Sequence, residues 1–290
     1  MSEITNYLSP RSLDDAVKAM ADGDVTVLCG GTDLTLQMES GQREYAATLM
    51  NVRRIEGLAE IALTGDTCRI GALTTVSEIK TNQLLSEIAP VIVEAADQFA
   101  SDQIRNAASI GGNICNASPA GDMIIPLLLL NAAVELASWQ DGALQTRLVS
   151  LHEFFTAPGE TVRLENELLT AVVFTRPVPG FVARFRKPGP RPALEISTVS
   201  IGIGGILLDG VFSDVRAALG AVAPTPIRAR RVETALEGRS LDADNVKAAS
   251  TSAGEDATPI DDVRASAWYR DHLVRVLTEE VLNDVLENGN

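Results

Sequence analysis

The sequence predicts a mixed helix and sheet protein, of the α+β class, with roughly two domains. Three observations support this prediction. The chain has 290 residues, and a domain commonly takes about 150. Apolar residues make up 46% of the chain and aromatic residues only 4%, so aliphatic side chains supply the core. Segments with helical periodicity alternate with short strand-like runs, which is typical of a protein with both helices and sheets. A chain of about 300 residues also buries enough surface to fold without disulfides or metals.

The first elements are a predicted helix and a predicted strand. Ser12 and Asp15 resemble a capping box at a helix start, apolar residues follow at helical spacing, and Gly23 ends the pattern. Residues 25–29 then form a short strand candidate that runs directly into a glycine pair, Gly30-Gly31.

Further elements of both kinds follow from about residue 51. Strands are predicted over 68–72 and 168–174, and Thr75 with Glu78 caps a short helix between them. A helix is also predicted over 86–100, because apolar residues recur there on one helical face.

A cluster of prolines marks a domain boundary near Arg176. The prolines of this cluster are Pro177, Pro179, Pro188, Pro190 and Pro192. We therefore expect a first domain over 1–176, with subdomains of about 1–57 and 58–176, and a second domain over 177–290.

The second domain is predicted to contain two strands, a loop and two helices. The strands cover 196–208 and 211–219, joined by a turn at Asp209-Gly210. The helices are predicted over 227–237 and 263–287, and the polar segment 251–259 is predicted as a loop.

Charge and cysteine content exclude several functions. Lys plus Arg number 24 and Asp plus Glu number 39, which gives a net charge of −15 and disfavours nucleic-acid or anionic-membrane partners. The three cysteines contain no CxxC pair, which indicates reduced thiols and too few ligands for an iron–sulfur cluster. No metal site is predicted, and no apolar run has the length of a membrane span. We expect a soluble, cytoplasmic protein without a signal peptide.

Two glycine pairs carry the strongest signal of a binding site. Gly30-Gly31 and Gly111-Gly112 each follow apolar residues, and glycine permits both positive φ and close backbone approach to a ligand. Successive free amides in such turns suit an anion such as a pyrophosphate. Either pair alone is equally consistent with a tight turn, whereas two such loops together are able to clamp a dinucleotide.

A third glycine cluster, Gly202 to Gly205, has a different interpretation. It has two glycines of a dinucleotide fingerprint, but Leu207 occupies the third position and a strand follows instead of a helix. We interpret it as close strand packing, and a Rossmann domain is disfavoured.

Two extended motifs resemble a known family. Residues 27–34 (VLCGGTDL) and 108–113 (ASIGGN), the latter continued by 116–122 (NASPAGD), resemble the FAD-binding motifs of the medium subunit of the xanthine dehydrogenase and carbon monoxide dehydrogenase family. Residues 218–226 and 262–266 are similar to its C-terminal domain. The resemblance implies a vanillyl-alcohol-oxidase-type (PCMH-type) FAD-binding domain of two α/β subdomains, followed by a smaller sheet-plus-helix domain.

The resemblance also implies which residues bind FAD. The first loop contributes Leu28, Cys29, Gly30, Gly31, Thr32, Asp33 and Leu34. The second motif contributes Ala108, Ser109, Ile110, Gly111, Gly112, Asn113, Asn116, Ser118, Gly121 and Asp122. Further matches are Phe99, Ala100, Leu168, Leu169 and Lys187.

Several of these residues have structural roles that are equally consistent with the sequence. Asp122 also suits the N-cap of the apolar segment that follows it, and both roles are compatible. Phe99 suits a core position, and Cys29 suits a small buried side chain. No catalytic residue is identified.

The resemblance implies an oxidoreductase subunit in a heterotrimeric molybdenum hydroxylase. A large subunit would hold the molybdenum cofactor, and a small subunit would hold two [2Fe–2S] clusters. FAD in this chain would pass their electrons to NAD, oxygen, a quinone or another acceptor. The relatives oxidise purines, aldehydes, carbon monoxide or N-heterocycles, and the sequence does not select among these substrates.

The alternative function is a stand-alone flavoprotein oxidase of the vanillyl-alcohol type. It would need a substrate domain over the flavin, and the C-terminal region is small for that role. A non-enzymatic dinucleotide sensor is a further alternative, and would purify without partners. The benzoyl-CoA-reductase-like branch of the family, which has an additional cluster, needs additional cysteines that this chain lacks.

Overall fold

The computed structural model describes residues 4–188 and 196–288. Pro190 and Pro192, part of the predicted boundary cluster, lie outside the described residues. The chain contains both helices and sheets, as expected for an α+β protein.

The N-terminal segment forms a small parallel sheet with two helices. Its elements are β1 (Asn6–Leu8), α1 (Leu13–Asp22), β2 (Val25–Leu28), α2 (Leu34–Glu39) and β3 (Thr48–Asn51). The strands pair in the order β1-β3-β2. Helix α1 starts as predicted, because the Ser12 hydroxyl accepts a hydrogen bond from the Asp15 amide at 3.1 Å, and the C-cap is Gly23.

The next segment forms an antiparallel sheet, with helices that supply most of its core. Its first elements are β4 (Ile61–Thr64), β5 (Thr67–Gly71), α3 (Val76–Thr81), α4 (Gln83–Ile88), α5 (Pro90–Gln98), α6 (Asp102–Arg105), α7 (Ile110–Cys115) and α8 (Ile124–Leu129). There follow β6 (Ala133–Gln140), β7 (Ala143–Ser150), α9 (Leu151–Phe154), β8 (Phe155–Ala157), β9 (Glu160–Thr161) and β10 (Leu168–Thr175). The sheet order is β4-β5-β10-β6-β7.

The C-terminal segment combines a second antiparallel sheet with three helices. Its elements are β11 (Phe181–Arg186), β12 (Ser200–Leu208), β13 (Val211–Gly220), β14 (Ile227–Arg228), α10 (Arg230–Leu236), β15 (Arg239–Ser240), α11 (Ala243–Asp256) and α12 (Ala267–Asn288). The sheet order is β11-β12-β13-β14, with β15 paired to β13.

The glycines of β12 pack closely, as predicted. A Cβ at Gly202 would lie 2.8 Å from Leu129 Cδ1, and one at Gly204 would lie 2.6 Å from Ala183 Cβ. The cluster therefore lets β12 approach α8 and β11, and no helix follows it.

The two larger segments are joined by buried side chains and by arginine hydrogen bonds. Phe185 of β11 belongs to the same apolar cluster as the helices around α8. Arg216 donates to the Leu129 carbonyl at 2.9 Å, so a β13 side chain satisfies a carbonyl at the end of α8.

Four predicted elements are wrong in extent, including the helix expected over 263–287, which is α12 and begins at Ala267. The helix expected over 86–100 is two helices, α4 and α5, because Pro90 has no amide proton and begins a new helix at its first turn. The helix expected from residue 227 begins at Arg230, since residues 227–228 pair with β13. The strand expected from residue 196 begins at Ser200.

The predicted loop over 251–259 is wrong in its first half, which belongs to α11. Asp242 caps this helix by accepting a hydrogen bond from the Asn245 amide at 2.9 Å. The helix presents Val246, Ala249 and Ala253 to the core of the second sheet. Small and polar residues concealed its amphipathic pattern.

Candidate functional site

A cavity of about 530 Å³ lies where the two glycine-rich segments meet. Ligand pockets in proteins commonly measure about 300–1,000 Å³. The first segment lines it with Cys29, Gly30, Gly31, Thr32, Asp33 and Leu34. The second segment lines it with Ala108, Ser109, Gly111, Gly112, Asn113, Cys115 and Asn116.

The first loop connects β2 to α2 and exposes backbone donors. Gly31 has a φ of 72°, a left-handed conformation that glycine adopts without steric strain. The carbonyls of Gly31 and Asp33 accept from the amides of Thr35 and Gln37 at 3.1 and 3.0 Å. Among the described residues, no acceptor is bound by the amides of residues 30–33. These amides are therefore available to an anionic ligand.

The second loop is fixed to the segment that follows β5. The Gly111 amide donates to the Ala72 carbonyl at 2.9 Å, and a Cβ at Gly111 would lie 2.7 Å from the Ala72 Cβ. Ser109 caps α7, and its hydroxyl accepts from the Gly112 amide at 3.1 Å. Gly112 lies in this helix without positive φ, so its small size rather than its backbone freedom matters here.

The two loops are in direct contact. A Cβ on Gly30 would lie only 2.0 Å from the Ala107 carbonyl oxygen, so only a glycine fits there. The Gln37 side-chain amide also donates to Asn116 Oδ1 at 2.7 Å, which joins α2 to the end of α7. The loops consequently form one wall rather than two independent turns.

The polar groups of the cavity suit a dinucleotide such as FAD. Asn113 Oδ1 is buried and has no hydrogen-bond partner among the described residues, so a ligand donor would satisfy it. Arg43 and Arg163 line the same cavity and supply positive charge for a pyrophosphate. Desolvation raises the pKa of the nearby Asp33 carboxyl. The residues present therefore fit the group.

One acidic residue of the wall, Glu167, is paired with an arginine. Glu167 is buried and lines the cavity, and it accepts from Arg147 Nε and Nη2 at 2.5 and 2.8 Å. Burial alone would raise the pKa of Glu167, but hydrogen bonds from the Arg147 guanidinium and the Leu164 amide lower it. Arg163 Nη1 donates to the Glu167 carbonyl at 2.7 Å. These contacts hold the segment before β10 against the cavity.

An aromatic ring and two leucines form the apolar part of the wall. Phe99 follows the last turn of α5 and is half-buried in the cavity wall. Leu168 and Leu169 enter it from the start of β10. Planar heteroaromatic rings bind well between such groups.

Asp122 and Lys187 form a buried pair outside the cavity wall. Lys187 Nζ lies 2.6 Å from Asp122 Oδ2, and the Ser197 hydroxyl donates to Asp122 Oδ1. Burial raises the pKa of Asp122, and the Lys187 ammonium and the Ser197 hydroxyl oppose that rise. The predicted N-cap role of Asp122 is wrong, because the cap position of α8 is Met123 and no side chain caps it.

The structure brings most of the predicted cofactor residues together. Those that line the cavity are the loop residues given above, except Cys115, which was not predicted, together with Phe99, Leu168 and Leu169. Those that lie outside its wall are Leu28, Ala100, Ile110, Ser118, Gly121, Asp122 and Lys187. Ile110 is fully buried in the apolar core, whereas Ala100 directly follows Phe99. Contact of these residues with a cofactor stays a prediction.

Sequence reasoning missed several residues of the cavity wall. They are Thr26, Gln37, Met38, Arg43, Leu73, Arg163, Glu165 and Glu167, among others. None belongs to a glycine motif, and folding alone brings residue 163 to the same cavity as residue 30. The one available signal was the position of residues 37 and 43 shortly after the first loop.

Among the helices in the described part of the chain, none combines the length and the apolar character that a membrane crossing requires. Within residues 4–188 and 196–288, no cluster of three or more His, Cys, Asp or Glu side chains is arranged to hold a metal ion.

Two family models match the chain in succession. Residues 2–177 match the FAD binding domain in molybdopterin dehydrogenase. Residues 184–285 match the CO dehydrogenase flavoprotein C-terminal domain.

Curated relatives align over almost the whole chain. It is 31% identical over 289 residues to the xanthine dehydrogenase FAD-binding subunit of Escherichia coli O157:H7, covering 99% of this chain and 97% of the relative. It is 30% identical over 283 residues to the glyceraldehyde dehydrogenase medium chain of Sulfolobus acidocaldarius, covering 97% of this chain and 98% of the relative.

Solved structures share the fold. A carbon monoxide dehydrogenase from Hydrogenophaga pseudoflava that lacks the Mo-pyranopterin moiety of its cofactor matches with a TM-score of 0.91 at 26% identity, covering 99% of both chains. Reconstituted CO dehydrogenase from Oligotropha carboxidovorans matches with a TM-score of 0.91 at 27% identity, covering 98% of both chains.

Proposed function

This chain belongs to the family of FAD-binding medium subunits of molybdenum hydroxylases, and we propose that it relays electrons from iron–sulfur clusters to an external acceptor. It is an oxidoreductase subunit that binds FAD. FAD when bound supplies the redox chemistry, taking electrons from one carrier and giving them to another.

The observation that carries the proposal is the wall formed by the two glycine loops. It presents the free amides of residues 30–33, the unpartnered Asn113 Oδ1 and two arginines to one cavity. The amides and the arginines bind and orient a pyrophosphate, and Asn113 Oδ1 accepts a hydrogen bond from a donor elsewhere on the cofactor. Phe99 and the leucines of β10 contact a planar ring and exclude water from it.

The partners follow from the kind of protein to which this chain is similar. The curated relatives are called subunits and medium chains of dehydrogenases. We propose a large subunit with the molybdenum cofactor and a small subunit with two [2Fe–2S] clusters, in a cytoplasmic heterotrimer. The acceptor would be NAD, oxygen or a quinone. We further propose that the FAD-binding domain covers 1–176, with subdomains of about 1–57 and 58–176, and that 177–290 forms the C-terminal domain.

Purification from the native host tests the proposed complex. A tagged chain recovered under gentle conditions should bring down two further polypeptides together with molybdenum and iron. The preparation should be yellow, and acid precipitation should release one equivalent of FAD into the supernatant. A lone chain that oxidises a substrate at full activity would contradict the proposal and favour the stand-alone oxidase.

Electron relay is tested separately in the purified complex. Substrate should reduce the iron–sulfur clusters and the flavin, as followed by absorbance, and addition of acceptor should reoxidise both. Removal of FAD should abolish acceptor reduction but leave cluster reduction by substrate intact. If electrons pass from the clusters to the acceptor equally fast without FAD, the proposed relay is refuted.

A further inference from the structure

Residues 99–101, between α5 and α6, form a tight turn whose shape matters to the cavity. Phe99 leaves α5 in an extended conformation and lines the cavity wall. The next residue, Ala100, has a φ of 35°, which is a left-handed conformation that residues with a Cβ rarely adopt. Such a conformation persists only where surrounding contacts impose it.

One buried arginine supplies these contacts. Arg105 is 7% exposed, and its Nη1 donates to the carbonyls of Asp97, Phe99 and Ala100, at 3.3 Å for Asp97 and 3.0 Å for Ala100. Its Nη2 donates to Asp102 Oδ1 at 2.5 Å. A single guanidinium thus gathers the carbonyls on both sides of the strained residue.

We propose that Arg105 is a positioning residue that holds the Phe99 ring in the wall of the cofactor cavity. Arg105 does not itself line the cavity, so it acts through the turn. Without its hydrogen bonds, Ala100 is expected to relax to negative φ, which swings Phe99 away from the bound ring. The inference rests on the proposed function in that the cavity holds FAD.

The chain offers a closely matched control in Arg270. It is 3% exposed, and its Nη1 donates to the carbonyls of Thr198 and Ala221, at 2.8 Å for Ala221. Its Nη2 binds the Asp262 carboxylate, and Ala221 has a φ of 61°. The arrangement therefore repeats that of Arg105, but neither Arg270 nor these partners line the cavity.

The first test compares FAD binding by apoprotein carrying Arg105→Met, Arg105→Lys or Arg270→Met. FAD affinity is measured by fluorescence titration, and the absorption spectrum of bound flavin is recorded below each variant's melting temperature. We expect Arg105→Met to weaken FAD binding at least about tenfold, with an altered flavin spectrum. Arg105→Lys should fall between it and wild type, since an ammonium keeps the charge but loses the planar fork. Arg270→Met should stay within about twofold of wild type.

A double-mutant cycle tests whether the effect passes through Phe99. If Arg105 acts by positioning the ring, Arg105→Met should weaken FAD binding much less in a Phe99→Ala background than in wild type. Equal effects in both backgrounds would overturn the proposal. Titration with ADP and with riboflavin shows which ring of FAD contacts Phe99, and loss of binding to either one supports the proposal.

Failure of the two proposals is distinguishable. Wild-type apoprotein that does not bind FAD would refute the proposed function. Wild type that binds FAD, with Arg105→Lys and Arg105→Met unchanged in affinity and spectrum, would refute the role of Arg105 alone. Should Arg105→Met not fold, the Arg105→Lys variant and its Phe99→Ala partner decide.

Discussion

Replacement of Gly30 by alanine tests the contact between the two cofactor loops. The added Cβ would lie 2.0 Å from the Ala107 carbonyl oxygen and 2.7 Å from its carbon. An ordinary contact between carbon and oxygen is about 3.3 Å. The loops must therefore separate by roughly 1 Å, and backbone atoms rather than a flexible side chain have to move.

The expected magnitude follows from the general cost of overpacking. Forcing an extra carbon into a packed site costs about 1–3 kcal/mol. Because about 1.4 kcal/mol corresponds to a tenfold change in Kd, Gly30→Ala should weaken FAD binding by about 5- to 150-fold. Separation of the loops also moves the free amides of residues 30–33 away from the second loop.

The assay is a fluorescence titration of apoprotein with FAD, with thermal unfolding of the same sample. Gly23→Ala is the control, since a Cβ at Gly23 meets nothing within 4 Å and its φ of 179° is extended backbone. That variant should bind FAD as wild type does. Gly30→Ala with a wild-type Kd would show that the two loops do not act as one wall.

Three further predictions concern ionisable groups. Lys187→Met leaves the Asp122 carboxyl buried without its ammonium partner, which should lower the free energy of unfolding by about 3 kcal/mol. Adding Asp122→Asn should restore much of this lost stability, and thermal unfolding of both variants measures it. Burial alone would raise the pKa of Asp262, but hydrogen bonds from the Ala265 and Arg264 amides and from the Arg270 guanidinium lower it to about 2. This depressed pKa stabilises the fold above about pH 4, and the contribution disappears as pH falls toward 2. Asp262→Asn should therefore make stability depend less on pH between about 4 and 2. An unchanged acid-unfolding curve would contradict this prediction. Burial raises the pKa of Cys68 to about 11. Alkylation at pH 8 should therefore spare Cys68 in the native protein, as mass spectrometry of peptides would show.

Local signals in the sequence determined where many elements begin and end. The capping residues Ser12 and Thr75 precede helices as predicted, because a capping hydrogen bond joins residues three apart and depends little on the rest of the chain. The Asp209-Gly210 turn between β12 and β13 is local in the same way.

The errors arose where tertiary contacts or a single residue overrode periodicity. Pro90 divides an apolar face that runs unbroken in the sequence, and α11 is stabilised by packing of small residues that carry little apolar signal. Asp122 has the residue type of an N-cap, yet Lys187 and Ser197, distant along the chain, bind its carboxylate instead.

The sequence by itself indicated the kind of ligand, because each glycine motif is one continuous stretch that predicts a loop of small residues after apolar ones, and two such loops suit a dinucleotide. Only the tertiary structure decided how these loops meet. The contact of Gly30 with Ala107, the entry of Arg163 into the same cavity and the hold of Arg105 on the Phe99 turn all depend on how the chain is packed. Motifs specify residue types over a few positions, whereas a cavity is defined by distances between segments that only the folded chain brings together.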